Sequence, residues 1–288
     1  VSASLRVHRT GPLCLVQDLG RRGHSGIGVG RSGAADRGAL RRANRALANP
    51  EGAAGLEVTL GGLEVEVLDE PVWLCVTGAP VPVAVDGRSV GPDTVTVAGP
   101  GARIRLGTPE NGMRSYVGVR GGVDVPEVLG SRSHDVLAGL GPAPVAVGDL
   151  LPIGPPPSAY PVVDHLPPLE RTERSVVLDV VRGPRGDWVR DLDRLVTTSW
   201  TASDRTNRVG MRLAGAVIEH AYGDRQLPSE GALRGAIQVP PGGEPVLFLA
   251  DHPVTGGYPV VAVVVDEHVD RAAQVRPGES VSFRWVAP

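Results

Sequence analysis

With 288 residues, 41% of them hydrophobic, and a net charge of −3, the chain is long enough for about two domains with cores of their own and lacks the basic footprint of a nucleic-acid binder. All 29 basic residues are arginine; without lysine this chain offers no attachment point for biotin or lipoate, no Schiff base and no P-loop lysine, so anions must be held by arginine forks, main-chain amides or helix N-termini. No apolar stretch approaches the roughly 18 residues of a membrane span, so no membrane partner is expected.

In chain order, residues 1–20 alternate polar and apolar side chains without a basic region leading into an apolar run, so no secretory signal is expected. Cys14 and Cys75 lie in apolar, strand-like runs and are read as reduced thiols of a cytoplasmic protein, with a disulfide as the alternative. Gln17-Asp18-Leu19-Gly20-Arg21 reads as a turn across which Asp18 and Arg21 pair. Residues 28–33 fit G-x-G-x-x-G, but no βαβ unit surrounds them; the reading is a loop whose amides could reach an anion, or a plain structural loop. Asp36 is placed to cap a helix running to about Ala48, with Leu40, Ala43 and Leu47 on one face and Asn49-Pro50 ending it.

Alternating runs at 56–60 and 63–67, split by Gly61-Gly62, predict a β-hairpin, and runs at 81–85 and 88–90 around Asp86-Gly87 predict another. Further strands are predicted at 72–77, 94–98, 103–106 and 115–119. Residues 155–168, with Pro155-Pro156-Pro157 and Pro167-Pro168, read as a stiff connector. This gives an N-terminal β domain over 1–154, the connector over 155–168 and a C-terminal β domain over 169–288. In the latter, strands are predicted at 176–181, 216–220, 236–239, 246–250, 260–265 and 280–285, and a helix capped by Asp187 over about 188–196. Many short strands separated by Gly- and Pro-rich turns define a mainly β fold of barrels or sandwiches with a few short helices.

Several segments of the second half carry candidate chemistry. Around Asn207-Arg208-Val209-Gly210, an extended strand would put Arg208 and Arg212 on one side, two forks suited to a carboxylate or phosphate. Leu227-Pro228-Ser229-Glu230-Gly231 offers a hydroxyl and a carboxylate in a turn, without the G-x-S-x-G elbow of a serine hydrolase. Gln238 ends one apolar run, and Asp251 begins a polar cluster that reaches Thr255-Gly256-Gly257-Tyr258-Pro259, where the glycines let main-chain amides approach a ligand closely. The histidines show no metal-ligand spacing and there is no C-x-x-C, so no metal is predicted.

Taken as an ordered set, these segments resemble one family. The set comprises Gly11-Pro12 with the residues from Val16 to Arg21, Ser32-Gly33-Ala34-Ala35-Asp36, Ala43-Asn44-Arg45 through Asn49-Pro50, Leu56-Glu57 with Gly61-Gly62, and Thr77-Gly78-Ala79. It continues with Gly121-Gly122-Val123-Asp124-Val125-Pro126, Leu129-Gly130-Ser131-Arg132-Ser133, Asn207-Arg208-Val209-Gly210, the turn at 227–231, residues 235–240 and Thr255-Gly256-Gly257-Tyr258-Pro259. The chain is similar to the KipA-like, or allophanate hydrolase subunit 2, group. It departs from that group's Asp-x-Gln-Thr turn, reading Asp251-His252-Pro253-Val254 instead.

The resemblance implies two cyclophilin-like β-barrel halves and a KipI-like partner (allophanate hydrolase subunit 1, the B-type component of 5-oxoprolinase). With an A-type component of the LamB/YcsF kind, these form an enzyme that uses ATP to open 5-oxo-L-proline to L-glutamate. ATP is then shared with the companion subunits, and the substrate is a small anionic amide. A carboxyltransferase or allophanate hydrolase-type role in urea metabolism, and a non-catalytic KipI-binding regulator, are the alternatives. The residues expected in catalysis are Asp18, Arg208, Glu230 and Tyr258. Those expected to bind substrate are Gln17, Arg21, Ser32, Arg212, Ser229, Gln238, Asp251, Thr255, Gly256 and Gly257.

Overall fold

The computed structural model describes residues 3–167, 175–223 and 225–287. Two units emerge: Val1–Arg22, Ser32–Asp135 and Gly139–Thr172 form the first, and Gly23–Arg31, Val136–Ala138 and Glu173–Pro288 the second.

The first unit contains β1 (Ser4–Thr10), β2 (Leu13–Gln17), β3 (Gly55–Thr59), β4 (Leu63–Leu68), β5 (Val72–Gly78), β6 (Val83–Val85), β7 (Arg88–Val90), β8 (Val95–Ala98), β9 (Arg103–Leu106), β10 (Arg114–Val119) and β11 (Leu150–Pro152). They form one sheet in the order β11-β1-β4-β9-β6-β7 and another in the order β2-β3-β10-β5-β8, with antiparallel neighbours. Inward side chains of both sheets share one core, including Leu5, Val65 and Ile104 from the first and Val16, Leu56, Leu74 and Val117 from the second. Alternation along each strand makes this possible, because successive side chains leave opposite faces.

Helix α1 (Arg37–Ala46) begins where Asp36 predicts: the Asp36 carboxylate accepts from the Ala39 amide at 2.8 Å. It packs on the outer face of the five-stranded sheet, where a side chain on Gly118 would meet Ala43 and Leu47 at 3.0–3.1 Å. β10 is therefore buried along its whole length, with Val117 and Val119 inward and Tyr116 and Gly118 under the helix.

The hairpin expected around Gly61-Gly62 does not form. β3 pairs with β2 and β10, whereas β4 pairs with β1 and β9, so the turn carries the chain from one sheet to the other. Leu60, Gly61 and Gly62 all have positive φ. A Cβ on Gly61 would sit 1.8 Å from the Gly107 carbonyl oxygen, which leaves that position to glycine. Alternation reports which residues face inward, not which strand is the neighbour.

The stretch expected to be a connector is docked on the first unit as far as Pro167; Pro168 lies outside the described residues. Arg120 donates to the carbonyls of Pro157 and Ala159 at 2.5 and 2.7 Å and lies 4.5 Å from the Tyr160 ring centre. The amides of Val95 and Leu166 bind the carbonyls of Asp164 and Asp93, which pairs this stretch with the edge of the five-stranded sheet. Composition shows stiffness, but not the guanidinium that captures the free carbonyls of a proline-rich segment.

The second unit closes a barrel from β12 (Ser175–Arg182), β13 (Trp200–Ala202), β14 (Gly210–Ala214), β16 (Ala236–Gln238), β17 (Val246–Phe248), β19 (Val260–Val264) and β20 (Ser280–Trp285), in the order β12-β19-β16-β17-β14-β13-β20. Its one parallel pair among the described strands is β12 with β20. Leu178, Trp200, Met211, Ile237, Leu247, Val261 and Phe283 fill the interior, and Val269 and Ala272 of α3 (Asp266–Ala272) join the same core. β15 (Glu230–Gly231) and β18 (Thr255–Gly256) form a separate two-stranded ribbon.

The helix expected over 188–196 is replaced by a 3-10 turn at Gly186–Trp188 and a short α2 (Arg194–Thr197). Residues 216–220 are not a strand; His220 makes only an isolated bridge with Val189. The mainly β class, in two halves with a few helices, holds.

Candidate functional site

In the first unit the predicted polar residues converge on residues 131–134. Asp18 accepts from the hydroxyls of Ser131 and Ser133 at 2.7 and 2.5 Å and from the amides of Gly20 and Arg132 at 2.7 Å each. A carboxylate that already accepts four hydrogen bonds, three on Oδ1 and one on Oδ2, is an anchor rather than an open proton acceptor. The pairing of Asp18 with Arg21 expected across the turn is not made. Arg21, fully buried, donates instead to the Ser133 carbonyl, and Gln17 and Ser32 donate to that of His134. Gln17 Oε1 and Arg21 Nη1 are buried without a hydrogen-bond partner.

Beneath α1 lies a network the sequence reading missed. The Tyr116 hydroxyl donates to Glu57 Oε2 at 2.8 Å, the Ala35 amide binds the same oxygen, and the Asp36 amide donates to the Tyr116 oxygen. Burial, reinforced by the Glu57 charge, pushes the Tyr116 phenol well above its usual pKa, so it stays a neutral donor. A tyrosine alternating with valines carries no sequence signal of this role.

The second unit gathers predicted residues around two adjoining pockets. β14, β17 and β16 are neighbours, and their register aligns Arg212, Val246 and Gln238 in one cross-strand row. Met211, Leu247 and Ile237 form the next row and point into the core. The ribbon lies over the outward row: a Cβ on Gly256 would be 3.4 Å from Gln238 Oε1. The resulting cavity, about 360 Å³, is lined by Arg212, Gln238, Gly256, Gly257 and Tyr258 together with Arg205 and Asn207. Arg205 pairs with Glu244 at 3.0 Å, whereas the Arg212 guanidinium has no ion-pair partner among the described residues.

A second cavity, about 540 Å³, shares Gly257 and Tyr258 with the first and adds Ser229, His220, Trp188 and Arg225. The pairing of Glu230 with Gly256 and of Gly231 with Thr255 is what brings the two sequence motifs of this region together. Thr255 itself is exposed.

Three of the expected site residues are placed by the structure in internal ion pairs. Arg208 does not share a strand face with Arg212, because β14 starts at Gly210, after Asn207 Oδ1 has accepted the amides of Val209 and Gly210 in a turn. Arg208 is turned inward, 2% exposed, and its fork grips Asp251. Asp251 is equally sealed and also accepts from the Val136 amide at 3.1 Å, so neither residue is open to a ligand. Glu230 is held by a two-pronged bond from Arg185; that hydrogen bond, then the Arg185 charge, keeps its carboxyl below the usual range and disfavours proton donation near neutrality.

Cys14 and Cys75 are free thiols, both buried, and burial pushes each up to about 12. No helix among the described residues is long and apolar enough to cross a membrane.

Fold and pockets together define a class: a two-unit β protein whose closed-barrel unit carries an arginine-bearing pocket under a Thr-Gly-Gly-Tyr turn. Within that class the chain belongs to the carboxyltransferase domain family, whose model for the paired subdomains matches residues 27–285. It is 34% identical to the C-type component of Escherichia coli 5-oxoprolinase over 97% of this chain and 90% of that protein, and 31% identical to its Haemophilus influenzae counterpart over 94% and 88%. Among solved structures it is similar to the K. lactis urea amidolyase, with TM-score 0.93 and 27% identity over 99% of this chain. The chain spans only 19% of that much longer protein.

Proposed function

We propose that this chain is the C-type component of an ATP-dependent 5-oxoprolinase, working with a KipI-like B-type partner and an A-type partner of the LamB/YcsF kind to open 5-oxo-L-proline to L-glutamate. The observation that carries the reading is the cavity containing Arg212, Gln238 and the Gly256-Gly257 turn, supported by near full-length similarity to two proteins named for that activity. An unpaired guanidinium suits the substrate carboxylate, the Gln238 amide can orient the ring, and main-chain amides at Gly256 and Gly257 can meet the lactam oxygen as it gains charge.

Opening the ring adds one water across the lactam bond: the carbon keeps the hydroxyl oxygen and becomes a carboxylate, the C–N bond breaks, and the nitrogen takes a proton as the amine. ATP, held largely by companion subunits since this chain has no lysine, would supply activation of the ring carbonyl. Tyr258, half-exposed at the wall of the cavity, is assigned the donation to the reacting amide, and its place in the lining supports this. Asp18 and Glu230 are committed to internal partners, so the group that handles protons lies elsewhere in the complex.

The test is co-purification with both companions and measurement of glutamate released from 5-oxoproline. ATP-dependent release is expected; a stable complex that hydrolyses no ATP in response to 5-oxoproline overturns the reading. The carboxyltransferase alternative draws on the family match and on the urea amidolyases, and requires a partner bearing biotinyl-lysine.

A further inference from the structure

The substrate proposed above is a single small ring with a carboxylate, and the 360 Å³ cavity that holds Arg212 is ample for it. The proposed ring opening assigns no group to the larger cavity of about 540 Å³, which shares Gly257 and Tyr258 with the first. Its lining is unusual for a chain with more acidic than basic residues, 32 against 29: among the described residues it includes no aspartate or glutamate. Instead it presents hydrogen-bond donors, namely the Arg225 guanidinium, the Gln226 amide and the Ser229 hydroxyl, beside His220.

Arg225 is held by aromatic rings. Its guanidinium carbon lies 5.3 Å from the ring centre of Trp188 and 5.6 Å from that of Tyr222, and the two rings meet edge to face at 5.2 Å. Such a shelf orients the guanidinium plane while leaving its N–H groups unspent. Among the described residues no carboxylate pairs with it. His220 is fixed by its Nε2 contact with the Val239 carbonyl at 2.8 Å, which settles the ring beside the same cavity.

We infer that this second cavity is a phosphoryl-anion subsite, in which Arg225, oriented on the Trp188–Tyr222 shelf, and the Ser229 hydroxyl bind phosphate oxygens. A donor-rich lining with no carboxylate among the described residues distinguishes it from a site for an amine, and a tetrahedral oxyanion uses more donors than a carboxylate does. The ligand's phosphate could belong to a nucleoside polyphosphate or be free phosphate. The inference rests on and deepens the ATP-coupled reading, since such a reaction consumes the one and releases the other, and Tyr258 and Gly257 form a wall common to both cavities.

The purified full chain, without companions, is titrated calorimetrically with inorganic phosphate, pyrophosphate, ATP and adenosine at about 0.15 M salt. Saturable binding of the phosphate-bearing probes, but not of adenosine, is expected. Tighter binding of ATP than of pyrophosphate would assign the site to a nucleotide, and equal binding to the free anion; both support the subsite. Arg225→Ala is expected to weaken binding at least tenfold and Arg225→Lys to restore part of it. Arg190→Ala, which removes an exposed arginine that pairs with Glu219 and lines neither cavity, should change it less than twofold. Equal losses in the Arg225 and Arg190 variants, or no saturable binding, overturn the proposal. Because the readout is binding by this chain alone, it separates from failure of the oxoprolinase reading, which would appear as an inactive but phosphate-binding protein.

Discussion

Arg208 grips Asp251 through a bidentate bond, Nε to Oδ2 at 2.7 Å and Nη2 to Oδ1 at 3.0 Å, with both side chains all but sealed from solvent. Breaking a buried pair by removing one partner leaves the other charge uncompensated. Arg208→Ala and Asp251→Ala are each expected to destabilise the second unit by about 3–5 kcal/mol. Chemical denaturation followed by tryptophan fluorescence checks this; a variant as stable as the parent would return Arg208 to the ligand-binding residues.

Arg212 should behave in the opposite way. Its side chain is exposed and holds no structural partner among the described residues, so Arg212→Ala should shift stability by no more than about 0.5 kcal/mol. Loss of a charge-assisted hydrogen bond to the substrate carboxylate corresponds to about 1.5–3 kcal/mol, roughly a 10- to 100-fold rise in KM for 5-oxoproline in the reconstituted complex. An unchanged KM would remove the residue from the site.

The thiols offer a test of burial. With Cys14 and Cys75 both held up to about 12 by desolvation, almost no thiolate exists near pH ~8. The native protein should not react measurably with a disulfide reagent over minutes, and both thiols should appear on unfolding. Rapid reaction of either in the native state would contradict the packing of β2 or β5.

His268 gives stability a dependence on pH. Its Nδ1 accepts from the Asp179 amide at 2.9 Å, which requires the neutral ring. Burial, then the nearby Arg271 charge, lowers its pKa from 6.5; Asp179 opposes this, Arg284 adds to the lowering and Glu267 counters it. The unfolded chain therefore binds more protons between the lowered value and 6.5, so stability should rise with pH across that window and level off above it. His268→Gln should flatten this part of the profile; an unaltered slope would assign it to another group.

Much of the chain was legible from local rules. Asp36 is followed by apolar residues at helical spacing, and it caps α1 as read. The ordered set of short motifs identified the family, which the family-model match over residues 27–285 bears out. Proximity between distant polar residues was not legible. Arg208 and Arg212 are close in sequence and were assigned one face, yet the Asn207 turn breaks the strand's phase between them and sends one guanidinium inward and the other out. Arg225 lies just before the turn at 227–231 and carries no signal of its own, and its role emerges only where Trp188 and Tyr222, the former brought from another part of the chain, supply the shelf.

Alternation, turn chemistry and the lack of lysine were enough to establish a mainly β chain whose permanent positive side-chain charges are all guanidiniums, since these follow from each residue's own stereochemistry and charge. Which arginines are committed to internal carboxylates and which remain open was settled by folding. Ion pairing depends on distances between segments as remote as 208 and 251 or 185 and 230, and those distances are created by strand order and register, which composition and periodicity do not encode.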